Sequence, residues 1–162
     1  MSDLPNPLAS PLRGTVSTTV TLFGDNDEID RALSAELGRR GCRTHAVSVD
    51  TGWLTSAANV ICRLDTVAGK RALEGLVGRV RPPATVIAMC ERPVSAYESR
   101  RIHDMCEECG RHHDVSLIWH SAVDATDRPP LKHLAVSVAD EVSERMGDVA
   151  ERAFTSRYVD LS

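Results

Sequence analysis

The feature that most constrains this chain is an alternation beginning at Thr18: short runs rich in β-branched residues, each followed by apolar residues at helical spacing. Segments of period two and period 3.6 that take turns along a chain mark parallel strands joined by crossover helices, because parallel neighbours cannot be linked by a tight turn. The runs Thr18–Phe23, Thr44–Val49, Asn59–Arg63, Thr85–Cys90 and Val115–Trp119 read as five strands, and Ser156–Leu161 as a sixth. Over residues 26–40, Ile29, Leu33 and Leu37 recur four apart, with Gly41 as the stop. Asp65 or Thr66 caps a helix carrying Ala72, Leu73, Leu76, Val77 and Val80, which Pro82-Pro83 ends. A third helix covers Val94–Cys109 before Gly110, and Leu131, Leu134, Ala135, Val138, Val142 and Met146 mark a fourth. Residues 51–58, between the second and third strands, are too few for the usual crossover helix. The pattern predicts an α/β fold, a three-layer parallel sheet of five or six strands with helices on both faces.

A chain of 162 residues with 42% hydrophobic content suits one core. Residues 1–17, with Pro5, Pro7 and Pro11 and no apolar period, read as a flexible tail, and residues 18–162 as one Rossmann-like domain. A net charge of −4 gives no general attraction to nucleic acid or to an anionic membrane. The sequence has no apolar run of membrane-spanning length and no signal-peptide pattern at its start, so a cytoplasmic protein is expected. Five cysteines, an odd set, fit reduced thiols better than a disulfide framework.

In this order the elements resemble those of the short-chain dehydrogenase/reductase family, over about Thr18 to Leu161. Arg63-Leu64-Asp65-Thr66 ahead of a helix, followed by Pro82-Pro83-Ala84-Thr85-Val86-Ile87-Ala88, resembles the family's third strand, adenine-contacting aspartate, next helix and fourth strand. The resemblance implies a cofactor contact at Asp65, which equally fits an ordinary helix cap. It implies a ribose contact at Asp50, equally a turn-initiating aspartate. The phosphate loop departs from the family. Phe23-Gly24-Asp25-Asn26-Asp27-Glu28-Ile29-Asp30 keeps Gly24 as the first glycine but sets Glu28 and Asp30 where the other two would be. Each carboxylate about 8 Å from a phosphate charge costs ~2 kcal/mol at an effective dielectric of 20. The same acids complement the macrodipole of a helix start.

For catalysis, the resemblance implies a serine after strand five, met by Ser121 beside His120. Where the family has Tyr-x-x-x-Lys, the next helix offers His133 and Ser137. The groups expected at the strands' carboxyl ends are Gly24, Asp25, Asp50, Asp65, Glu91, His120, Ser121 and His133, with either histidine able to serve as acid or base near neutral pH. Cys106-Glu107-Glu108-Cys109 has the spacing of half a zinc site, with Cys90, His103 and His120 as further ligands, and it also continues an apolar helix face. Asp25, Asp27 and Asp65 have the spacing of a phosphorylatable receiver, though the fifth strand lacks a lysine at its end. The resulting expectation is a non-catalytic, reductase-like domain without a bound cofactor, acting as a structural or binding partner. It is similar in role to the structural half of polyketide ketoreductases, which implies a partner enzyme in a biosynthetic pathway. Self-association through the helices Val94–Cys109 and Leu131–Met146 is part of that expectation. The alternative is a small-molecule isomerase, lyase or atypical reductase, with NAD(P) as cofactor in the last case.

Overall fold

The computed structural model describes residues 19–48, 58–79, 84–90, 95–119, 131–148 and 156–160. The expected tail at 1–17 and the connection after strand two lie outside the described residues. The elements run β1 (Thr19–Phe23), α1 (Glu28–Arg39), β2 (Arg43–Val47), β3 (Asn59–Arg63), α2 (Val67–Val77), β4 (Thr85–Met89), α3 (Ala96–Cys109), β5 (Asp114–Trp119), α4 (Leu131–Asp148) and β6 (Ser156–Asp160). All six strands are parallel, in the order β2-β1-β3-β4-β5-β6. The fold is therefore the expected three-layer Rossmann-like α/β sandwich with six strands.

The helices α1, α2 and α3 each start on a side chain that satisfies an orphan N–H. Asp27 accepts from the Asp30 N–H for α1, Thr66 from Gly69 for α2 and Ser95 from Glu98 for α3. Thr66, rather than Asp65, is thus the cap of α2. Gly41, with φ of +82°, turns the chain out of α1.

Strand alternation sends side chains to two cores. Phe23, Val60, Cys62, Val86 and Leu117 face α2 and α3. Leu22, Ile61, Ile87, Met89 and Ile118 face α1 and α4, where Leu33, Leu37, Val138 and Val142 cover them. Side chains such as Leu33, Leu37 and Val138, at 0% exposure, each gain about 1.5–3 kcal/mol from burial.

Two findings go beyond the sequence pattern. In the dinucleotide-binding order 3-2-1-4-5-6 the third strand flanks the second; here β3 pairs with β1, Leu22 opposite Ile61, so the strand leading to Asp65 lies inside the sheet. The second concerns α4. From β1 to β2 the sheet grows one way with its helix on one face, and from β3 through β5 it grows the other way with helices on the opposite face. Reversing both direction and face preserves hand. The step from β5 to β6 continues in the β3-to-β5 direction, yet α4 packs on the α1 face. Its crossover has the opposite hand, and because about 98% of parallel crossovers are right-handed, α4 makes the left-handed one. Packing explains the exception: α2 and α3 already cover β3–β5 on their side, and among the described residues α4 packs against β4 and β5 on the other, over Ile87, Met89 and Ile118.

Candidate functional site

Open parallel sheets bind ligands at the carboxyl ends of their strands, where neighbouring connections diverge to opposite faces. Here that point lies between β1, which leads to α1, and β3, which leads to α2. Two segments meet there, the loop Gly24–Asp27 with the first turn of α1, and Arg63–Thr66.

Arg63 ends β3 with its side chain only 3% exposed. Its Nη1 donates to Asp27 Oδ1 at 2.6 Å and to Asp30 Oδ1 at 3.1 Å, and its Nη2 donates to Asp65 Oδ2 at 2.6 Å. Burial opposes its charge, but the hydrogen bonds it donates to Asp27 and Asp65 outweigh this and hold the guanidinium more firmly protonated than usual. Burial likewise would raise the pKa of Asp27. The Arg63 hydrogen bond and charge, with the Asp30 N–H, outweigh it and hold that carboxyl below its ordinary value. One guanidinium facing three carboxylates leaves two formal negative charges at the switch point.

Asp30, itself 3% exposed, folds its carboxylate over Gly24. A Cβ on Gly24 would stand 2.5 Å from its Oδ2, so this glycine's open approach is taken by the chain's own carboxylate. The same Oδ2 accepts the Asn26 N–H at 2.6 Å, and Asn26 adopts the left-handed φ of 57° that aims this N–H inward. A ligand phosphate would have to displace Asp30 from both Asn26 and Arg63 and then face Asp27 and Asp65.

The other candidate residues are not gathered there. Asp50, Glu91, His120 and Ser121 lie outside the described residues. Asp25 and Glu28 are exposed, and Asp65 is committed to Arg63. His133 stands exposed in the first turn of α4 with no hydrogen-bond or ion-pair partner among the described residues. Cys106 and Cys109 point into the core beside Cys62 and Cys90, and burial raises all four thiol pKa values, those of Cys90 and Cys109 to about 12. Among the described residues, no group of three or more His, Cys, Asp or Glu could hold a metal ion.

Two further buried polar groups escaped the sequence reading. His113, 0% exposed, accepts the Ala84 N–H on Nδ1 at 2.9 Å and turns Nε2 toward the carbonyls of Leu76, at 3.1 Å, and Arg79, at 2.5 Å. That fixes the neutral Nε2–H tautomer and ties the end of α2 to the starts of β4 and β5. Burial lowers its pKa. On the other face, buried Arg145 joins Glu141 at 3.2 Å and also Asp114, while the Ser116 hydroxyl donates to Glu141 at 2.7 Å. Both groups lie toward the amino ends of the strands, away from the switch point, and fasten helices to the sheet. An arginine at the end of an apolar strand was the available signal for Arg63, but two of its three acidic partners are 33 and 36 residues away.

No helix among the described residues is long and apolar enough to cross a membrane. No family model matches the chain, and no curated protein or solved structure is significantly similar to it.

Proposed function

We propose that this protein is a non-catalytic Rossmann-like domain that works as a binding partner, its dinucleotide site closed from within. One observation carries the reading: the Asp30 carboxylate, held by Asn26 and Arg63, occupies the approach over Gly24 that a pyrophosphate needs. The two net negative charges of the cluster, Asp30 included, act in the same direction, at ~2 kcal/mol for each charge about 8 Å from a phosphate. The apolar sides of α3 and α4 are spent on the sheet, so recognition falls to exposed surfaces and rims. The reading keeps a biosynthetic enzyme among the partners.

Calorimetric titration of the full chain with NAD(H) and NADP(H) tests it. The expected result is no heat of binding at millimolar nucleotide. Saturable binding in the micromolar range would overturn the closed site and favour the reductase alternative with NAD(P).

A further inference from the structure

On the face opposite α1 and α4, α2 and α3 lie side by side over a cavity of about 90 Å³ floored by Leu64, Ile102 and Met105. Lys70 of α2 and Glu98 of α3 bridge it at 3.7 Å. Two more charges line the walls, Glu74 from α2 and Arg101 from α3, and neither has an ion-pair partner among the described residues. Helical spacing sets Val67 one turn ahead of Lys70 and Tyr97 one turn ahead of Arg101, on the same faces. Val67 is 67% exposed and Tyr97 72%, two of the three large exposed hydrophobics among the described residues, and each stands one helical turn from a residue that lines the groove.

We infer that this groove is the docking surface for a second copy of the chain. The charge pattern selects that occupant. An isologous contact presents each residue to its counterpart's neighbour, so it needs a patch that complements itself. An unpaired acid on one wall and an unpaired base on the other meet that condition: Glu74 of each copy faces Arg101 of the other, twice over. Val67 and Tyr97 of each copy then cover the mouth of the other's cavity, removing the exposed apolar area from water. Lys70–Glu98 stays an internal pair and sets the groove's width. The expected use of α3 and α4 together does not fit this geometry, because those helices lie on opposite faces of the sheet.

The inference names a partner for the binding role proposed above and rests on that reading. Sedimentation equilibrium of the full chain over micromolar to millimolar concentrations tests it, with thermal melts of each variant to confirm folding. A reversible monomer–dimer equilibrium is expected. Glu74→Arg and Arg101→Glu alone should each weaken it at least about tenfold, since each reversal sets like charges together at two symmetric places. The double variant should return to within about threefold of the original, because the pair is restored with its signs exchanged. Tyr97→Ser should weaken the dimer with no loss of melting temperature. A monomer at all concentrations, a dimer indifferent to both reversals, or a double variant no better than the singles would overturn the inference. Such a result, with nucleotide titrations still blank, would leave the closed site intact.

Discussion

Removal of Arg63 strips the counter-charge from three aspartates at once. Arg63→Met keeps length and apolar volume while deleting the charge that three aspartates share. Removing one partner of a buried ion pair costs about 3–5 kcal/mol, because the remaining charge is left uncompensated. The three aspartates do not suffer equally. Asp30 is 3% exposed, Asp65 17% and Asp27 42%, so water relieves Asp27 and most of the loss falls on Asp30. The lower end of the range, about 3 kcal/mol, is therefore expected, a shift of about 1.5 M in urea midpoint for a slope near 2 kcal/mol/M.

The loss should also depend on pH. In the native protein the carboxyl of Asp27 is held below its ordinary value, so its contribution is present above the unfolded pKa near 3.8 and is lost as pH falls through the folded value. The variant moves the opposite way, because acid neutralises the carboxylates that the guanidinium no longer balances. Urea unfolding of both proteins at pH 7 and pH 4 should show the gap narrowing through the variant's gain, and acidification below the unfolded value near 3.8 should narrow it from the native side as well. Adding Asp30→Asn to Arg63→Met should recover part of the loss at pH 7. A gap under about 1 kcal/mol at pH 7, or one unchanged at pH 4, would refute the assignment of Arg63 as the counter-charge.

Three further outcomes follow from the geometry. His113→Leu strands the Ala84 N–H and the α2 carbonyls and should cost about 2–4 kcal/mol in urea unfolding. Because burial lowers the folded pKa of His113, its contribution is present above the unfolded value near 6.5 and fades as pH falls; that part of the acid sensitivity should vanish in the variant. Gly69→Ala would place a Cβ 1.9 Å from the Arg63 carbonyl oxygen, and despite a better helix propensity it should destabilise by about 1–3 kcal/mol, measured by calorimetry. Alkylation of the native protein at pH 8, read by mass spectrometry, should label Cys42 first and spare Cys62, Cys90, Cys106 and Cys109 until the chain unfolds, since all four are buried with raised pKa values.

Where an element is specified by its own residues, the sequence is a sufficient guide. The spacing of Ile29, Leu33 and Leu37 and the caps at Thr66 and Gly41 are local facts, and the helices end within a few residues of those marks. The inner strands β3 and β4 are equally legible, because each is buried on both faces and so carries a nearly unbroken β-branched or apolar run. Neighbour order is not local. Nothing in Asn59–Arg63 says whether it pairs with β2 or crosses to β1, and the position of Asp65 turns on that choice. The site shows the same divide. That Glu28 and Asp30 replace glycines is visible in the sequence, but not that Asp30 folds back over Gly24, which depends on Arg63 arriving from another strand. His113 followed two cysteines at metal-like spacing, and only the fold shows it fastening three backbone segments.

The reversed hand of the α4 crossover bears on how the chain reaches this structure. A right-handed β-α-β unit closes on surface its own strands have just laid down, so β3-α2-β4-α3-β5 can grow by successive local steps. Residues 131–160 cannot follow that course. Leu134, Val138 and Val142 of α4 need the trough formed by α1 and the far side of β3, β4 and β5, whose parts span the chain from Val20 to Ile118. That makes α4 and β6 a late-closing flap of high contact order. The amides of β6 should accordingly be among the first in the sheet to exchange under native conditions, opening as one unit with α4 while β1, β3 and β4 stay protected.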